Sequence, residues 1–156
     1  MTRPALAHDW QALATAARQM LAQRIERDPP YVEAGKMTAE IAADRLRIAQ
    51  ALVAQWDSIV AHEPPYDPQD AWIATGGREG AYPHELREDL RAAAKRARTL
   101  ADKHGEDAGA AAFADAVEAL AWHERPRDHI SHVRDAAHIN YAFRQSAAGP
   151  AVKAAA

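Results

Sequence analysis

Apolar residues recur at three- and four-residue steps along most of this chain, and almost nowhere at alternate positions. That spacing is helical. No segment alternates apolar and polar residues with β-branched enrichment, so strands are not expected. In the first helix, about Ala5 to Arg27, one face carries Leu6, Trp10, Leu13, Ala17, Met20 and Leu21. Pro29 and Pro30 are expected to stop it, because proline lacks the amide hydrogen and disfavours helix in its predecessor. Gly35 follows. Thr38 then suits the N-cap of a second helix, about Thr38 to Ala61, with Glu40 in its first turn. Ile41, Leu46, Ile48, Ala49, Leu52, Val53, Trp56, Ile59 and Val60 make an apolar arc too wide for one neighbour, which predicts a central helix.

Periodicity lapses from His62 to Pro83, a stretch of prolines and glycines around Trp72. It resumes in a third helix from Pro83 to about His104–Gly105, with Leu86, Leu90, Ala93, Ala97 and Leu100 inward. A fourth, alanine-rich helix spans about Asp107 to Trp122, with Phe113, Val117 and Leu120 inward. Pro126 interrupts. A fifth runs from about Asp128 to Arg144, with Ile130, Val133, Ala137 and Tyr141 on one face. The expectation is an all-α fold of about five helices without internal repeats. It divides into an N-terminal helical hairpin (1–61), a loop or linker (62–83), a C-terminal three-helix unit (84–145) and a flexible tail (146–156).

Composition narrows the class. Of 156 residues, 48% are apolar, enough for a packed core, but alanine supplies much of this and aromatics only 6%. Such a core buries little area per residue, and leftover apolar helix surface makes a homodimer a further expectation. The net charge of −3 opposes whole-surface attraction to nucleic acid. With no cysteine, disulfides and thiolate zinc sites are excluded. No apolar run reaches membrane-spanning length and Met1–Pro4 has no signal-peptide core, so the expected location is cytoplasmic, without membrane association.

The run Tyr31–Val32–Glu33–Ala34–Gly35–Lys36–Met37–Thr38–Ala39–Glu40, followed by Arg45, Ile48 and the helix to Ile59, resembles a group of small prophage-encoded helical-hairpin proteins. Those carry a tyrosine–proline pair, a glycine and a methionine- or leucine-threonine helix start; here the proline precedes Tyr31. The resemblance spans about residues 27–59. It implies a helical hairpin and a phage or mobile-element context, and it brings no catalytic residues.

Three side-chain constellations are candidates for chemistry. Tyr66, Trp72 and Tyr82 lie among prolines and glycines, where loop aromatics serve as anchors for a protein partner or tuck onto the bundle. Arg87, Arg91, Lys95 and Arg98 form a basic stripe that could meet phosphates. Six basic residues face four acidic ones between His84 and His104, a net of only +2, so a salt-bridged solvent face is the competing reading. His129, His132 and Asp135, with Asp128 nearby, have spacings that would place metal ligands on one helix side, although they match no established metal signature. Ser58, Ser131 and Ser146 lack the setting of a nucleophile, and Gly76–Gly80 follows no strand and lacks a Gly-Lys-Ser/Thr ending.

The expected function is that of a non-enzymatic binding protein acting on a protein partner in a bacterial cell, without a cofactor. Modulation or inhibition of a host defence system is one form that the resemblance implies. A nucleic-acid-binding accessory protein using the basic stripe is the second expectation. A metal-dependent helical-bundle hydrolase using His129, His132 and Asp135 is the third.

Overall fold

The protein, as a computed structural model, is described at residues 2–61, 63–127 and 129–155. It is all-α, and no strand occurs among the described residues. A 3-10 turn at Ala5–His8 precedes six helices: α1 Trp10–Glu33, α2 Ala39–Ala61, α3 Pro68–Thr75, α4 Pro83–Lys103, α5 Ala108–His123 and α6 His129–Ala155. The first expected helix is therefore split. Asp9 caps α1 by accepting from the Ala12 amide at 3.0 Å, which separates it from the turn before it.

Pro29 and Pro30 do not end α1; they lie inside it. The amides they lack would have bonded the carbonyls of Ile25 and Glu26, which sit on exposed residues that water can reach. Asp28, the residue whose helical conformation Pro29 disfavours, is buried and held by Arg45 of α2 at 2.8 Å. The stop is Gly35, at φ 71°. The Lys36 amide bonds the Tyr31 carbonyl at 2.9 Å and the Gly35 amide bonds the Val32 carbonyl at 3.1 Å, a Schellman ending. Thr38 caps α2 as expected, accepting from the Ile41 amide at 3.1 Å.

The stretch expected to be a loop contains α3. Asp67 caps it, Pro68 occupies its first turn, and Gly76 closes it at φ 62°. Its eight residues are too short to show a periodic apolar face, and the cap–proline–glycine punctuation was the only local sign of it. Gly80 lies so close to this helix that a Cβ there would stand 2.2 Å from the Pro68 carbonyl oxygen. α6 continues past Ser146, where a flexible tail was expected. Alanine is the strongest helix former and dominates that run. Asp128, expected to open the last helix, lies outside the described residues, as does His62.

The helices share one core. Leu13 and Met20 of α1, Leu52, Trp56 and Ile59 of α2, Leu86 and Leu90 of α4, Val117 and Leu120 of α5, and Ile130 and Val133 of α6 form a single buried cluster. As the wide arc predicted, α2 is central and touches α1, α3, α4 and α6. Hairpin and C-terminal helices are also tied by charge. Buried Arg24 of α1 reaches Asp89 of α4 at 2.8 Å and donates to the Arg45 carbonyl of α2 at 2.7 Å. Arg47 of α2 pairs with Glu85 of α4 at 2.6 Å, which drives the Glu85 carboxyl below its ordinary range.

Candidate functional site

Alanine determines where the surface is hollow. Where α4 packs on α5 through Ala97, Ala101 and Ala114, the side chains are too short to fill the space towards α1. A groove of about 900 Å³ results, floored by Met20, Ala93, Ala97 and Phe113 and edged by Tyr31, Met37 and Leu100. Tyr31 is 47% exposed and Leu100 51%, so the apolar edge is open to a partner. Leu100 was expected in the core. It instead lies on the groove rim, and Ala101 takes the buried position one residue on.

Four arginines, Arg24, Arg27, Arg45 and Arg96, wall this groove. Arg24 and Arg45 are committed to Asp89 and Asp28. Arg27 and Arg96 have no hydrogen bond or ion pair among the described residues. Desolvation against the groove wall, with the charges of Arg45 and Arg24, pushes the Arg96 guanidinium below its ordinary pKa, while Asp89 and Asp28 pull the other way.

A second hollow, about 240 Å³, lies between α2, α3, α4 and α6 and shares no lining residue with the groove. At its wall Glu124 is 3% exposed and accepts from Gln55 Nε2 at 2.6 Å. Arg134 donates to Gln55 Oε1 at 3.2 Å and approaches Asp67 at 3.5 Å. Burial raises the Glu124 carboxyl above its ordinary range, against the pull of Gln55 and the charges of Arg134 and Arg87.

No protein-family model, no curated protein and no solved structure matches this chain. The site must therefore be read from its own geometry.

Trp72 and Tyr82 pack together, with ring centroids 4.6 Å apart, and Tyr82 stacks on His84 at 5.8 Å. Both are half-buried, and their contact fastens α3 to the start of α4. Tyr66 is separate and half-buried, and its amide reaches the Ser58 hydroxyl at 3.4 Å. Burial, with the charges of Glu79 and Asp67, raises its phenol pKa. The basic stripe is broken. Arg98 is spent on Glu118 at 2.8 Å and Asp115 at 2.5 Å, both from α5, and Arg87 lines the small cleft. Arg91 and Lys95 alone remain exposed on it.

His129 does not join His132 and Asp135. Its ring stacks on His123 at 5.3 Å and meets Trp122 at 4.8 Å, and its Nδ1 accepts from Arg125 at 3.1 Å. His132 and Asp135 face solvent, and no three metal-ligating side chains converge among the described residues. His123, beside His129, is buried and donates from Nε2 to the Ala7 carbonyl at 2.8 Å, and its Nδ1 has no partner among the described residues. Trp56, which packs on His123, has its indole N–H in the same condition.

Sequence reasoning passed over Arg24, Asp28, Gln55 and Glu124. The signal was charged or amide residues in register with an apolar stripe. Arg24 and Asp28 continue the Leu13–Ala17–Met20 row, and Gln55 sits between Leu52 and Ile59.

Proposed function

We propose that this chain is a non-enzymatic helical binding protein that acts inside a bacterial cell by gripping an acidic amphipathic helix of another protein. The observation that carries this reading is the groove between α1, α4 and α5. It combines a methionine-, alanine- and phenylalanine-lined floor with two uncommitted arginines. Helix-in-groove recognition needs an apolar trough for the buried face and opposite charge at its rim. Phage or prophage context, with modulation or inhibition of a host defence system as its concrete form, rests on the resemblance over residues 27–59. Arg27, Asp28, Tyr31, Met37 and Arg45 of that stretch line the groove.

The test is photo-crosslinking in bacterial lysate with a benzophenone residue at Leu100, compared with the same residue at Ile139. Ile139 is 65% exposed and lies outside the groove. A protein adduct formed from position 100 only, and lost when Arg27→Glu and Arg96→Glu are added, is the expected result. Equal capture at both positions would sink the groove as the contact surface. So would duplex DNA binding that falls steeply with salt and disappears in an Arg91→Glu, Lys95→Glu variant, since it would move function to the stripe.

A further inference from the structure

From the cleft around Gln55 and Glu124 we infer a second, separate binding site, one that takes a small zwitterion of amino-acid type. One Glu124 oxygen is bonded to Gln55, and the other has no hydrogen-bond partner among the described residues. Glu124 lines the cleft, and its second oxygen keeps contact with the open space there, where a donor can reach it. Arg87 also lines the cleft, without a hydrogen bond or ion pair among the described residues. Among the described residues, Arg134 is held by the neutral Gln55 amide and by an ion pair with Asp67 at 3.5 Å.

Charge complementarity selects the ligand. A simple anion would meet Glu124 and Asp67, and a simple amine would meet Arg87 and Arg134. A molecule carrying both charges satisfies both sides: its ammonium donates to the open Glu124 oxygen, and its carboxylate accepts from Arg87 and Arg134. The volume of about 240 Å³ lies below the usual range for drug-sized ligands and leaves room for a free amino acid.

Isothermal titration with each common L-amino acid, alongside acetate, phosphate and methylamine, tests this on the purified full chain. At least one amino acid should give saturable binding to the wild type. Arg87→Ala and Glu124→Gln should each weaken it about tenfold or more. Because Arg87 has no hydrogen-bond or ion-pair partner among the described residues to leave stranded, its variant decides the matter even if Glu124→Gln folds poorly. The inference is overturned if no amino acid binds, if acetate, phosphate or methylamine binds as tightly, or if Arg87→Ala binds like the wild type.

Discussion

Replacing His123 by phenylalanine removes one imidazole from the centre of the molecule and, with it, one source of acid lability. The residue is 2% exposed. Burial pushes its pKa from 6.5 down to about 4, opposed by its bond to the Ala7 carbonyl and reinforced by the charges of His129, Arg125 and Arg3. The unfolded chain therefore takes up a proton more readily than the folded one. The stability contributed by keeping this imidazole neutral is full above about pH 6.5, falls between there and about 4, and is gone below that range. The gap corresponds to about 3 kcal/mol, a large share of the ~5–15 kcal/mol that holds a typical domain folded. At neutral pH the phenylalanine variant should be less stable by about 1–3 kcal/mol, because the Ala7 carbonyl loses its donor. As pH falls, the two proteins should converge. Urea unfolding followed by tryptophan fluorescence, from neutral pH to about 4, measures the difference directly, since Trp56 and Trp122 both pack on this imidazole. If wild type and variant lose stability in parallel, His123 is not the buried neutral base described above.

Glu124→Gln should behave in the opposite sense. A carboxyl raised above its ordinary range costs stability as pH rises through that range, so the variant should gain on the wild type towards neutral pH and lose that gain on acidification. A pH-independent difference between the two unfolding curves would contradict this. Arg24→Met leaves Asp89 largely shielded and unpaired, at a cost of about 3 kcal/mol, and Arg24→Met with Asp89→Leu should recover most of it in a double-mutant cycle by chemical denaturation. Gly80→Ala meets both φ +78° and the Pro68 carbonyl, and should cost roughly 2 kcal/mol or more, whereas Gly76→Ala, at φ +62° with open space around it, should cost about 1 kcal/mol. Thermal unfolding of the two glycine variants compares them; equal losses would mean that α3 does not pack on Gly80.

The amino-acid sequence by itself determined that this protein is helical, where most helices begin, and that α2 lies at the centre. Those properties depend on neighbours within a turn: apolar residues at three- and four-residue steps, a threonine cap at 38, a proline at 83, a glycine at 35. Tertiary structure decided the rest. α1 runs through Pro29 and Pro30 because Arg45, from another helix, fixes Asp28, and no local propensity encodes that contact. The stripe from Arg87 to Arg98 lost Arg98 to Asp115 and Glu118 of α5 and Arg87 to the small cleft, and the histidine group separated because His129 turned inward to Trp122 and His123. Both hollows lie where several helices converge. Their lining residues are far apart along the chain, and only packing, which sets which faces meet and how closely alanines let them approach, brings those residues together.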